Sequence, residues 1–381
     1  MLKVEDIFDE ITEFRHQLHR IPEIAGKEFK TRDAIREYIS GLPLEVLPPF
    51  LETDTVAFLR GGKGAGPNVT LRADIDALPL PEQSGLEFAS IHPGMMHACG
   101  HDFHAAMLAG AAKILSSYKD ELRGSVRFVW QPGEECVAMG KQLVEAGALD
   151  DPVPDRMTAI HVFPGVEEGT IATKSGAIMA SSTHFKVTVH GKSGHGSVPF
   201  KSVSPLLAAA AMITDLQQII PTRVDPHKVA VLSFGVFKSG EIENVIPDEA
   251  VFAGTIRSLD METAHIVADS LQSICRGLAE AYRVTVDFDI HWAYSVTNND
   301  PEQAKLALEI AQRAGIKTSV VEQSSMGAED FCYFLDRAPG VYVRLGAGDI
   351  PPLHNSKMIP RDEIMKNGIR YLVGFALDAL M

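Results

Sequence analysis

Hydrophobic residues at Ile7, Ile11, Phe14 and Leu18 return at the three-to-four-residue spacing of one helical face, which predicts an amphipathic helix over residues 5–20. Thr31 is placed to cap a second helix reaching about Tyr38. TVAFLR (55–60), GGKGAGP and NVTLRAD (68–74) read as strand, hairpin turn and strand; SVRFVW (125–130) and MTAIHV (157–162) read as further apolar strands with helical patterns between them. The first 175 residues are therefore expected to form an α/β layer structure. GGKGAG lacks the GK[ST] ending of a phosphate-cradling loop and does not open a helix, so it is read as a turn.

The pattern changes in the middle of the chain. In HFKVTVHG, Phe185, Val187 and Val189 alternate with Lys186, Thr188 and His190, as in a sheet with one buried face. A helical run over 204–219, strands KVAVLSFGVF and AVFAGTIRS, the helix METAHIVADSLQSICRGLAEAY and the strand RVTVDFDI follow. This is the order β-α-β-β-α-β of a ferredoxin-like α+β unit. Helix and strand patterns then resume through PEQAKLALEIAQRAG, GVYVRLG and a C-terminal helix from about Arg361. The expected architecture is α/β: a larger domain of residues 1–179 and 293–381 with a mixed sheet, interrupted by a small domain of residues 180–292.

Length and composition fit that division. At 381 residues the chain exceeds one comfortable core, and 45% hydrophobic with 22% charged residues is ordinary for a folded protein. Fifty acidic against 35 basic residues give a net charge of −15, with no basic run to track a phosphate backbone, so nucleic acid is not an expected partner. The opening MLKVEDIFDE lacks a signal-peptide layout, and LLAAAAMI (206–213) is too short to span a bilayer; a cytoplasmic location without membrane association is expected. Cys99, Cys136, Cys275 and Cys332 form no CxxC pair, as where thiols stay reduced.

Candidate chemistry concentrates after the strands of the first domain. MMHACGHDFHAA (95–106) offers Cys99 and His101 one residue apart, which can face the same ion if the helix begins after them, at Phe103, with Asp102 as its cap or as an acceptor for a ligating imidazole. Taken alone, the pair fits a metal site, a thiol nucleophile with a base, or a structural loop. WQPGEEC places Glu134 and Glu135 after one strand, RADIDALP places Asp74 and Asp76 after another, and His161 and His354 end a third and follow a fourth. Strand ends on one side of an open α/β sheet converge on one edge. Thiolate, imidazole and carboxylate together suit Zn or a similar ion, in numbers sufficient for two.

The ordered motifs RADIDALP, MHACGHDFHAA, QPGEE, HVFPG, GKSGHGSVP, NVIPDEA with GTIRS, MGAEDF and LHNS closely resemble the aminoacylase and carboxypeptidase-type binuclear metallopeptidases, in the amidohydrolase branch of hippurate hydrolases, auxin-conjugate hydrolases and N-acetyldiaminopimelate deacetylases. The resemblance spans essentially the whole chain. It implies two divalent ions per subunit, Zn or Mn with Co or Ni as alternatives, held by Cys99, His101, Glu135, His161 and His354. It further implies Glu134 as general base, Asp76 as the acid orienting a ligand, His195 at the reacting carbonyl oxygen from either the same or a partner subunit, and Asn244 and Arg257 near the substrate carboxylate. The activity implied is hydrolysis of N-acyl amino acids by a homodimer or higher homo-oligomer formed through the inserted domain. A dipeptidase or carboxypeptidase with the same metals, cysteine catalysis through Cys99 and a non-catalytic metal-binding relative are the alternatives. Gly133 and Phe103 depart from the residues commoner at their positions, so a bulkier wall beside the metals is expected, and His97 and His104 are expected to support the site without binding metal.

Overall fold

The computed structural model describes residues 1–381, the side chain of Cys136 excepted. The first amphipathic pattern folds as the helix Val4–Arg20, burying Val4, Ile7, Ile11, Phe14 and Leu18. The second helix, Phe29–Ile39, begins before Thr31, which is therefore not its cap. The Glu23 carboxylate instead accepts both the Thr31 N–H (2.9 Å) and its hydroxyl (3.1 Å), filling the role a capping side chain would have.

Thr55–Arg60 and Asn68–Asp74 do not form a hairpin. Ser125–Gln131 lies between them, antiparallel to the first and parallel to the second. Both outer strands are buried along almost their whole length, so each needs neighbours on two sides and cannot end at a hairpin edge. The glycine-rich connection bonds instead to the segment entering the middle strand: Gly61 N–H donates to Gly124 O, Gly62 N–H to Lys119 O and Lys63 N–H to Leu122 O, at 2.8–3.0 Å. A Cβ on Gly61 would lie 2.3 Å from Leu122 O, which explains the small residue there.

The main sheet has eight strands in the order Glu45–Val46, Thr55–Arg60, Ser125–Gln131, Asn68–Asp74, Arg156–Phe163, Gly340–Gly346, Ile171–Thr173, Thr318–Val320. Four of them, Asn68–Asp74, Ser125–Gln131, Arg156–Phe163 and Gly340–Gly346, run parallel, so the loops carrying Asp76, Glu134 and Glu135, the His161 strand end and the loop to His354 leave by one edge. The helix His101–Ser116 is buried almost all round, beside Val4–Arg20 and the C-terminal helix Ile364–Leu380. Its small residues permit this: a Cβ on Gly110 would stand 2.8 Å from Ile369 Cδ1.

The chain divides into two compact units, one of Met1–Ile178, Asn298–Gln323 and Glu329–Met381, the other of Met179–Thr297 and Ser324–Ala328. The second unit holds an antiparallel sheet in the order Ala230–Ser239, Glu249–Ser258, Ser181–His190, Thr285–Tyr294, with the helices Pro205–Leu216 and Met261–Tyr282. Its last strand continues to Tyr294, carrying the unit to Thr297 instead of 292. Ser204 and Asp260 cap the two helices by accepting the Leu207 and Thr263 N–H groups. Phe185, Val187, Val189, Phe252, Met212 and Leu271 form its own core. Among the described residues no helix is long and apolar enough to cross a membrane. Phe252→Ala should cost about 3–5 kcal/mol, because a fully buried aromatic leaves a cavity; denaturant unfolding of the two proteins side by side checks this.

Candidate metal centre

Gly100 adopts φ +84°, and a Cβ on it would lie 2.3 Å from Val162 Cγ2. This left-handed residue separates Cys99 from the helix, which starts at His101 and not at Phe103. The turn at Gly100 does what the expected later helix start would have done. The Cys99 Sγ, a ring nitrogen of His101 and a carboxylate oxygen of Glu135 lie within 4.8 Å of one another.

Asp76 organises two of these groups. It accepts the His101 Nδ1–H at 3.1 Å through one oxygen and the Glu135 backbone N–H at 3.1 Å through the other. The donor lone pair of His101 is thereby left on Nε2, which is buried, without a hydrogen-bond partner among the described residues, 3.8 Å from Glu135 Oε1 and 3.9 Å from Asp74 Oδ1. Burial opposes charge on this imidazole, but Asp74, Asp76 and Glu135 outweigh it and raise its pKa to about 10. The carboxylates thus demand positive charge at that point. His161 donates Nδ1–H to Val162 O at 2.6 Å and turns Nε2 toward Cys99 Sγ, 3.4 Å away. His354, itself at φ +64° with its N–H on Ala98 O, brings Nε2 to 3.1 Å from Glu135 Oε1.

The other two histidines of the motif differ. His104 spends both nitrogens, donating from Nδ1 to Asp74 at 2.5 Å and accepting the Val162 N–H on Nε2 at 2.9 Å. His97 is buried with neither nitrogen hydrogen-bonded among the described residues, and burial pulls its pKa down to about 4. Asp102 neither caps the helix nor touches a ligating imidazole: its Oδ2 accepts His19 Nδ1–H at 2.8 Å and faces Arg15 at 3.4 Å. Phe103 packs in the main core under the Arg15 guanidinium, 4.6 Å from the ring centroid, so it does not wall the metal side. Gly133 is required by its backbone, with φ +62° and Met139 Sδ 2.4 Å from where a Cβ would stand.

Glu134 is 7% exposed and accepts the Asp330 N–H at 3.4 Å. Burial, then Glu329 and Glu135, raise its carboxyl well above the usual carboxylate range. Glu329 and Asp330 gather with it, and Arg72 ties this group to the sheet through Asp74 (2.7 Å), Asp330 (2.7 Å) and Glu329 (3.0 Å). Gln131 and the Gly140 N–H complete the shell of Asp330. Sequence reasoning gave no role to Arg72, Glu329 or Asp330. The signal was an arginine inside the apolar strand NVTLRAD and two adjacent acids before the buried Phe331.

In the second unit, His195 lies in a two-stranded ribbon opposite Val245 and is exposed. Its Nδ1 accepts from the Ser197 N–H (3.1 Å), which leaves the ring proton on Nε2. Asn244 is exposed and its carbonyl accepts the Gly196 N–H. Arg257 is half-buried on the strand Glu249–Ser258, with Nη1 donating to Ile256 O at 3.4 Å.

The donor set of sulfur, imidazole nitrogen and carboxylate oxygen, with the unspent His101 lone pair among carboxylates, fits a divalent cation. Residues 70–378 match the model of Peptidase family M20/M25/M40. Thermostable carboxypeptidase 2 of Saccharolobus solfataricus is 37% identical over 374 residues, covering 96% of this chain and 94% of its own. N-acetylcysteine deacetylase of Bacillus subtilis is 35% identical over 367 residues, covering 96% of each. The solved structure of the YXEP protein of Bacillus subtilis, a dinuclear metal binding peptidase from the M20 family, superposes with a TM-score of 0.88 at 32% identity, covering 98% of each chain. Fold, donor cluster and these likenesses define a metal-dependent amidohydrolase. The chain belongs to the peptidase family M20/M25/M40.

The network behind the metal loop has a pH signature. Both ring nitrogens of His19 face carboxylates, Asp102 and Glu82, so both must donate. Burial and then Arg15 disfavour the imidazolium, yet Asp102 and Glu82 raise its pKa from 6.5 to about 9. Since the folded value exceeds the unfolded one, this contribution, on the order of 3 kcal/mol, is complete below pH 6.5 and disappears as pH rises through about 9. His19→Gln should flatten the decline of stability across that window, as read from chemical unfolding at pH 6 to 9.5.

Proposed function

We propose that this enzyme hydrolyses the amide of N-acyl amino acids, releasing a carboxylic acid and a free amino acid. The observation that supports it most is the placement of Glu134, a buried carboxyl with a raised affinity for protons, beside the donor cluster. Cys99, His101, Glu135, His161 and His354 would hold two divalent ions, Zn or Mn before Co or Ni. Bound there, the ions supply Lewis acidity toward the amide carbonyl and acidify a water. Glu134 takes the proton of the attacking water and delivers it to the leaving nitrogen. Asp76 positions His101 and the Glu135 backbone, and so fixes the mutual geometry of ligands on separate loops.

The remaining roles fall to the second unit. His195, with its proton on Nε2, suits donation to the developing carbonyl oxyanion. Arg257 and Asn244 suit the substrate α-carboxylate, the guanidinium through paired hydrogen bonds. This unit serves as the lid and pairing surface of a cytoplasmic homodimer. Cysteine catalysis is disfavoured: burial, then Glu135 and Glu134, push the Cys99 thiol well above its ordinary range, so a thiolate needs a cation beside it. The carboxypeptidase likeness keeps dipeptides as a second substrate class for the same centre.

A hydrolysis screen over acetyl, benzoyl, long-chain acyl and indole-acetyl amino acids, with dipeptides included, tests the reading. N-acyl amino acids should be cleaved best, and a preference for dipeptides would replace it. Glu134→Gln should lower kcat about 10²- to 10⁴-fold with metal content retained, by metal analysis and steady-state kinetics together. Chelation should abolish turnover and Zn or Mn should restore it; turnover indifferent to chelator would refute the metal assignment.

A further inference from the structure

We propose that Arg344 is a specificity-determining residue that binds a second carboxylate of the substrate, distinct from its α-carboxylate. The inference rests on the N-acyl amino acid reading above. Arg344 lies on the strand Gly340–Gly346, in register with His161 on the parallel neighbour. Tyr342, two residues earlier on the same strand face, has its ring centroid 6.1 Å from that of His161. Arg344 is thus on the strand beside the one that ends at the metal centre, near the edge where the site loops emerge.

Its surroundings do not match its charge. The residue is 6% exposed, and its guanidinium stacks on Phe163 at 4.1 Å from the ring centroid. Nη2 donates to Ile178 O over a long 3.4 Å, while the buried Nε has no hydrogen-bond partner among the described residues. The other deeply buried arginines have acids near them: Arg15 pairs with Asp102 and Asp362, Arg72 with three carboxylates, and Arg127 feels Asp151 and Asp150. Among the described residues the titratable neighbour that favours its charge is the Tyr342 phenol, and burial works against that charge.

A buried cation without an anion is costly, and an apolar side chain of similar length would fill the same space without that cost. A planar carboxylate brought by the substrate would accept two guanidinium N–H groups and complete the shell. That carboxylate can sit on a dicarboxylic acyl group or on an acidic amino acid side chain.

The test compares kcat/KM within two matched pairs on the metal-loaded full-length enzyme: N-succinylalanine against N-butanoylalanine, and N-acetylglutamate against N-acetylglutamine. The expected result is a preference of about 10- to 100-fold for the charged member of one pair, expressed in KM, as for a hydrogen-bonded charge pair. Arg344→Met should collapse that ratio and Arg344→Lys should keep part of it. The responsive pair identifies which end of the substrate Arg344 meets. No charge preference in either pair, or a ratio unchanged in Arg344→Met because both members fall alike, overturns the assignment. Failure of the wild type to cleave any of the four strikes the N-acyl amino acid reading beneath it.

Discussion

Arg72 donates to Asp74, Glu329 and Asp330 from a position 2% exposed, and the carboxyl edge of the main sheet is organised around that compensation. One guanidinium cannot neutralise three carboxylates and the neighbouring Glu134 as well. Burial and the remaining repulsion raise Glu329 and Asp330 above the usual carboxylate range, so this corner holds on to protons more tightly than exposed carboxyls do. Asp330 is at once the partner of Arg72 and, through its N–H, of Glu134. The base candidate is therefore fixed by the same residue that balances the charge beneath it.

The parallel strands account for the convergence of the site and the left-handed residues for its detail. Gly100 sets Cys99 and His101 on the same centre, Gly133 delivers Glu134 and Glu135, and His354 takes the same backbone region without being glycine. A non-glycine residue held there bears strain that the surrounding structure must overcome. In His354 the strained residue is the one that meets Glu135.

Much of this was legible in the chain. Period-two and period-3.6 patterning located the strands and helices, and polar segments rich in Cys, His, Asp and Glu at strand ends pointed to one edge. What local pattern could not carry was pairing across distance. Thr55–Arg60 and Asn68–Asp74 look like a hairpin because they are close in sequence, yet a buried strand inserts between them from fifty residues further on. Asp102 resembled a cap because it stands at a helix start, but its true partners, His19 and Arg15, come from the first helix. Phe103 likewise sits in a site motif while its ring belongs to the core. The Arg72 network joins residues more than 250 positions apart in the chain, beyond the reach of spacing.

The division of labour among the histidines follows from the proton on each ring. His104 is saturated, donating on one side and accepting on the other, and has no lone pair to give. His101 and His161 each donate Nδ1–H to an oxygen and keep an Nε2 lone pair turned inward, one toward Glu135 and the other toward Cys99. The Cys99 thiol is disfavoured as thiolate by the same carboxylates that favour a proton on His101. A divalent cation held there, as proposed, would resolve both at once, taking the place of the His101 proton and stabilising the thiolate charge. Because the proposed donors Cys99, His101, Glu135, His161 and His354 come from four separate chain segments, a cation bound by them would tie those loops together, with an affinity that rises with pH as the competing protons leave.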